Sequence, residues 1–129
     1  MHMDAQTSMQ LTSSLLRDLE AETGGGDQRE RLNWLFDRFD EYLDRWLGFC
    51  KIDDVSMESL LQSDLFVMLL IAVDVMDREL CSLTGGELVR TSWQDFLMLL
   101  DRVQKERIKE LAAELGTVFA SVRRELSKA

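Results

Sequence analysis

The chain has 129 residues, of which 46% are hydrophobic and 30% are charged, so length and composition predict one globular domain and exclude a disordered chain or a fibrous repeat. Proline is absent and Leu, Glu, Arg, Met and Ala are abundant, which favours long helices over a sheet. We therefore expect an all-α fold in which residues 1–129 form a single small bundle of four or five helices with a long last helix.

The charge of the chain is strongly acidic, with 15 Lys and Arg against 24 Asp and Glu and a formal net charge of −9. Phosphate backbones and anionic lipid heads are bound through Lys and Arg, so we expect no direct nucleic-acid binding and no membrane binding. Residues 1–100 carry 19 acidic and 8 basic residues, whereas 101–129 carry 5 and 7. The acidic part either faces a partner protein or serves solubility alone.

Targeting signals and cysteine motifs are both missing from the sequence pattern. No charged-then-apolar signal segment opens the chain, and the longest apolar run, 65–73, has nine residues against the ~20 of a membrane span. We expect a cytoplasmic protein.

Cys50 and Cys81 stand in apolar helical settings without a CxxC or Cys/His array and are interpreted as reduced core residues. Met1-His2-Met3 is interpreted as a cloning remnant, so the single histidine supports no chemistry.

Two amphipathic helices are predicted in the first third of the chain. The first runs from about 8 to 22, and residues 23–27, which include three consecutive glycines, form a linker. The second runs over 27–47, with Asp27 as N-cap, Glu30 as its capping-box partner and Gly48 as the stop. The predicted inward stripe of the first helix is Leu11, Leu15, Leu16 and Leu19, and that of the second is Leu32, Leu35, Phe36, Phe39, Leu43, Trp46 and Leu47.

The middle of the chain is predicted to hold the core helix. A connector at 53–56 precedes helical composition over 57–83, with a break near Ser63-Asp64. Residues 65–73 are apolar on every side, as in a helix that its neighbours cover completely. A buried strand is the alternative, because short apolar runs do not distinguish the two, although the one-sided pattern of 74–83 favours a helix. Residues 84–91 form a second glycine-containing linker.

The last predicted helix is long and carries a regular apolar seam. It begins at Thr91 or Ser92, where Ser92 and Asp95 approximate a capping box, and continues to about residue 126. From residue 108 the apolar residues recur at alternating steps of three and four, which is coiled-coil spacing. The seam either packs inside the bundle or joins two chains into a homodimer. The residues of this possible self-association surface are Ile108, Leu111, Leu115, Val118 and Val122.

The second predicted helix also carries aromatic residues and arginines outside its inward stripe. Exposed Trp, Tyr and Arg are the residues that most often anchor protein interfaces. With the inward stripe facing the core, Arg38, Tyr42 and Arg45 are expected on one exposed flank and Trp34 nearer the other side. These four residues are the predicted partner-binding site, and the alternative is a helix buried on two sides.

A row of carboxylates follows the same helix, at Asp37, Asp40, Glu41 and Asp44. Di-metal sites in bundles pair such carboxylates with histidines from neighbouring helices. No neighbouring predicted helix contains a histidine, so we expect no metal and no cofactor. The row is interpreted as a solvated face on which Glu41 and Arg45 form a surface pair.

Motifs for catalysis are not found, because no nucleophile elbow, phosphate-binding glycine loop or Cys/His pair occurs. We therefore expect no enzyme and assign no catalytic residue. The run Asp44-Arg45-Trp46-Leu47 resembles a segment of the Rsd/AlgQ type of helical anti-sigma regulators, over these four residues.

Acidity, helical composition and the aromatic flank together favour a non-enzymatic regulatory domain that sequesters or blocks a partner protein. A basic, DNA-binding regulator of transcription would complement the charge, as for an anti-activator or anti-sigma protein. The alternatives are an antitoxin or immunity protein, a secretion chaperone for a basic or unfolded client, and a small helical enzyme.

Overall fold

The computed structural model of the protein describes residues 5–24, 26–52, 54–80 and 86–128. These ranges contain six α-helices, one 3-10 turn at Lys105–Arg107 and no strand, so the all-α prediction is confirmed. The last helix is long, with 21 residues. The helices are α1 Ala5–Thr23, α2 Gln28–Cys50, α3 Met57–Leu61, α4 Asp64–Leu80, α5 Gly86–Leu100 and α6 Ile108–Lys128.

Three helix starts are set by local side-chain caps. The carboxylate of Asp27 accepts a hydrogen bond of 2.9 Å from the backbone N–H of Glu30, as predicted for the start of α2. The hydroxyls of Ser56 and Ser63 accept from the amide three residues further on, at 3.1 and 3.2 Å, and begin α3 and α4. The predicted break near Ser63-Asp64 is thereby confirmed.

The apolar run 65–73 lies in helix α4, so the alternative of a buried strand is wrong. Helix α4 packs along α2 through its most extensive contact and also touches α1, α3 and α5. Because neighbours cover α4 from several directions, apolar side chains are buried on more than one of its faces. The buried residues of α4 are Phe66, Leu69, Ile71, Ala72, Val73, Val75, Met76 and Leu80.

Aromatic rings form the part of the core where α2, α4, α5 and α6 meet. Phe39 of α2 lies with its ring centroid 4.8 Å from that of Phe119 and 6.1 Å from that of Trp93. Phe66 of α4 lies 6.2 Å from Trp93 in the same way. Rings at these separations attract one another beyond the effect of burial alone. No polar or charged residue in the described part of the chain is buried.

The predicted single helix over 92–126 is wrong, because the structure divides this stretch into α5 and α6. Helix α5 already begins at Gly86, so Ser92 is an interior position and 86–91 are not a linker. The two helices are separated at 101–107, between the buried residues Leu100 and Ile108. Every residue type in that connection is compatible with a helix, but a straight helix could not pack α5 and α6 against each other. Tertiary packing therefore overrides local preference here.

Gly48 and Leu16 do not have the positions that were predicted for them. Helix α2 passes through Gly48 and ends at Cys50, where the free, half-buried thiol packs against the core. Gly24, with φ of +58°, occupies the left-handed region at the end of α1, as a helix stop predicts. Leu16 is exposed rather than inward. The interpretations of Cys81 and Met1-His2-Met3 lie outside the described residues.

Candidate protein-binding surfaces

The four predicted partner-binding residues lie on one side of α2, which we call the α2 flank: Trp34, Arg38, Tyr42 and Arg45. The guanidinium carbon of Arg38 lies 5.5 Å from the centroid of the Trp34 ring, a cation–π contact. The expectation that Trp34 lies nearer the other side is therefore wrong. Four residues advance a helix by little more than one turn, so positions 34 and 38 are neighbours on its surface.

Charges on the α2 flank largely compensate one another. Glu41 forms ion pairs with Arg38 at 3.0 Å and with Arg45 at 2.7 Å, which extends the predicted Glu41–Arg45 pair into a three-residue network. Each of these exposed pairs contributes only about 0.2–1 kcal/mol to stability. A partner that binds here has to compete with ion pairs that are already formed.

The aromatic rings of the α2 flank are half-buried rather than free. Trp34 and Tyr42 both pack against the edge of the core. Burial raises the pKa of the Tyr42 hydroxyl, in opposition to the nearby positive charge of Arg38. The Nε of Arg38 is buried and has no hydrogen-bond acceptor in the described structure. The flank therefore offers a partner mainly the exposed Arg45 and the rims of two rings.

The carboxylate row of α2 is used partly for packing against α6. Arg123 contacts Asp37 at 2.8 Å and donates to the side-chain oxygen of Asn33 at 3.0 Å. Glu41 is engaged by the arginines of the flank. Within the residues that the structure describes, no group of three or more His, Cys, Asp or Glu side chains comes together in a way that could hold a metal ion.

Most residues of the apolar seam of the last helix are buried within the bundle of one chain. Ile108, Leu115 and Val122 are buried in the core of the bundle. Leu111 and Val118 are half-buried at the surface of α6. A homodimer through the complete seam would have to expose three core residues, so packing inside the bundle accounts for most of the spacing. Self-association stays a prediction for Leu111 and Val118.

A groove between α5 and α6 is the surface that sequence reasoning missed. This α5–α6 groove encloses about 230 Å³ and has an apolar lining with polar groups along its rim. Leu99 is 43% exposed at one edge, although it is a large apolar residue. The apolar lining residues are Phe96, Leu99, Leu111, Leu115 and Val118, and the polar ones are Ser92, Asp95 and Glu114. A continuous 92–126 helix cannot form such a groove, which is why the prediction did not contain it.

Comparison of the chain with protein-family models, with curated proteins and with solved structures found no match. None of the helices in the described ranges combines the length and the apolar composition that crossing a membrane requires. The resemblance of 44–47 to anti-sigma regulators is confined to those four residues, and Trp46 among them is fully buried in the core.

Proposed function

We propose that this protein is a non-enzymatic regulatory domain whose α5–α6 groove binds an amphipathic helix of a partner protein. The observation that carries the proposal is an open apolar groove between two packed helices, rimmed by carboxylates. Helix-in-groove recognition places an apolar helix face into a groove of this kind. Leu99, Leu111 and Val118 would contact that face.

Charge supports a basic partner. Asp95 and Glu114 stand on the rim of the groove, and the whole chain carries a formal net charge of −9. A helix with Lys or Arg beside its apolar stripe would be attracted by this field and oriented by the two rim carboxylates. Basic helices are common in DNA-binding regulators, so sequestration of such a regulator in the cytoplasm gives anti-activator or anti-sigma action. The α2 flank would be a second, smaller contact.

The same acidity also supports neutralisation of a basic toxin or escort of a basic client for secretion. Each of these alternatives places a different protein in the groove, so the identity of the bound partner separates them. The partner is accordingly captured from the native cell, purified, and then used in a quantitative binding assay.

Leu99→Asp is the variant that tests the groove, with Met98→Asp as its matched control. Both side chains are exposed, at 43% and 64%, so neither substitution places a charge in the core, and Met98 is not among the lining residues. Loss of a true anchor costs at least ~2 kcal/mol, about a thirtyfold fall in affinity. We expect this fall in titration calorimetry for Leu99→Asp and near wild-type affinity for Met98→Asp. Equal affinities of the two variants would show that the proposal is wrong. Sedimentation that reveals a second copy of the chain in the groove would also show this.

A further inference from the structure

A second cavity lies between the end of α2 and the start of α6, away from the α5–α6 groove. It encloses about 570 Å³, which is within the range of small-molecule binding sites. Leu47, Gly48 and Cys50 line it from the last turn of α2, and Lys105 and Lys109 line it from the 3-10 turn and α6. We call it the α2–α6 cavity.

Lysine residues are concentrated in the lining of this cavity. The chain contains only four lysines, and three of them, Lys51, Lys105 and Lys109, are lining residues. Asp44 and Glu106 line the cavity as well. Nevertheless, neither Lys51 nor Lys109 has a carboxylate within ion-pair distance among the residues whose positions are described. Within the described ranges, two ammonium groups at an open cavity thus face no ion-pair partner and could bind an external anion, in a protein whose net charge is −9.

Lys105 differs from the other two lysines because it is held in place. Its ammonium donates to the backbone carbonyl of Val55 at 2.8 Å and to that of Ile52. A lysine ammonium has three N–H donors, so one remains for a ligand. The loop after α2 therefore fixes a donor at the wall of the cavity before any ligand arrives, which lowers the ordering cost of binding.

Leu47, Gly48 and Cys50 give the cavity an apolar, open part of its wall on the α2 side. Burial raises the pKa of the Cys50 thiol to about 11, so the group is neutral at physiological pH beside the apolar Leu47. A β-carbon at Gly48 would meet no atom within 4 Å, so packing does not require glycine there. The absence of a side chain at this position leaves the space that forms part of the cavity.

We propose that the α2–α6 cavity binds a small organic anion, with its carboxylate, phosphate or sulfonate group at Lys51, Lys105 and Lys109 and its apolar body against Leu47 and Cys50. Charge-assisted hydrogen bonds supply the polar contacts, and the apolar wall selects ligands that carry a hydrocarbon or aromatic part. This site is independent of the proposed protein-binding groove.

The test is a fluorescence titration of the full chain with 8-anilinonaphthalene-1-sulfonate, alongside its uncharged analogue N-phenyl-1-naphthylamine. We expect one binding site for the sulfonate and affinity at least about tenfold weaker for the uncharged analogue, since one charge-assisted interaction accounts for a factor of this order. Equal affinity for the two probes would overturn the assignment of an anion site.

Two lysine variants locate the site. Lys51→Gln/Lys109→Gln should weaken sulfonate binding roughly tenfold, because two of the three positive charges that line the cavity are removed. Lys128→Gln is the matched control, since Lys128 lies at the far end of α6, where it pairs with Glu125 at 3.5 Å. Unchanged affinity in the double variant, or an equal loss in the control, would overturn the proposal.

A pair of glycine variants tests the cavity itself. Gly48→Leu should fill the open space and abolish sulfonate binding, whereas Gly116→Leu should leave it intact. Both glycines lie in helices at positions where a β-carbon meets no atom within 4 Å, and Gly116 does not line the cavity. Circular dichroism and thermal melts check that each variant is folded. If Gly48→Leu unfolds, the lysine variants decide alone; if it is folded and binds the probe like wild type, the cavity is not the site.

Discussion

The indole Nε1 of Trp46 donates a hydrogen bond of 3.0 Å to the backbone carbonyl of Leu60, and both residues are completely buried. Helix α3, which contains Leu60, has five residues and is too short to be stable alone. The Trp46 ring also lies 5.2 Å from that of Phe66 and 6.4 Å from that of Phe96. One side chain of α2 therefore connects α3, α4 and α5.

Trp46→Phe should lower the free energy of unfolding by about 1–3 kcal/mol, because the smaller ring leaves unfilled volume and removes the N–H donor. The carbonyl of Leu60 would not be left without a partner, since Ser63 also donates to it at 2.9 Å. Urea unfolding provides the measurement. Trp34→Phe is the matched control on the half-buried α2 flank, and a loss as large as that of Trp46→Phe would contradict the assigned role of Trp46.

Leu69 tests the position of α4 in the core. Leu69 is completely buried, so Leu69→Asp should prevent folding by burying a carboxylate without a partner. Leu88→Asp makes the same chemical change on α5, where the side chain is 49% exposed, and should change stability by less than about 1 kcal/mol. Circular dichroism and thermal melts distinguish the two. A folded Leu69→Asp protein with wild-type melting temperature would refute the burial of α4.

Local sequence signals predicted much of the fold because several helix boundaries depend on nearby residues. The starts of α2 at Asp27 and of α4 at Ser63 are examples, since each of these side chains caps an amide three residues further along the chain. The division between α5 and α6 could not be predicted in this way. It depends on burying Leu100 and Ile108 against other helices, and the residues between them are not helix breakers.

The candidate surfaces were predictable only where one helix determines them. The helical spacing of α2 predicted that Arg38, Tyr42 and Arg45 share one flank, but it misplaced Trp34. The burial of Trp34 and Tyr42 depends on packing against the core. The α5–α6 groove requires two helices to lie side by side, which no spacing within one helix reveals. The adjacent apolar residues 97–100 did contain a signal, because one helix face cannot bury four consecutive side chains.

Tyr42 and Arg45 of the α2 flank should respond differently to truncation. Tyr42 packs against the core, so Tyr42→Ala should lower the free energy of unfolding by about 1–2 kcal/mol. Arg45 is 61% exposed and, among the residues with described positions, pairs with Glu41 alone, so Arg45→Ala should change stability by less than about 0.5 kcal/mol. If the flank contacts the partner, calorimetry with Arg45→Ala should show weaker binding at an unchanged melting temperature. Wild-type affinity would exclude Arg45 from the interface.

Alkylation of Cys50 should be slow in the folded protein. Burial raises the pKa of this thiol to about 11 from an ordinary value of 9.0, against a smaller opposing effect of the Lys105 charge. The thiolate is the reactive form, so at pH 8 iodoacetamide should modify folded Cys50 about a hundredfold more slowly than in the denatured chain. Mass spectrometry of the Cys50 peptide separates this site from Cys81. Equal rates in the folded and denatured protein would contradict the shift.

The same shift predicts how Cys50 contributes to the pH dependence of stability. Between about pH 9 and 11 the unfolded chain has lost the thiol proton while the folded protein retains it. Unfolding then releases a proton, so the free energy of unfolding decreases as the pH rises through this window, and the contribution is fully present below pH 9. Other groups also titrate there, and the comparison of wild type with Cys50→Ala isolates the thiol. We expect urea midpoints to fall more steeply with pH in the wild type than in Cys50→Ala. Parallel pH profiles for the two proteins would show that Cys50 titrates alike in the folded and unfolded states, and that the end of α2 does not shield its thiol from water.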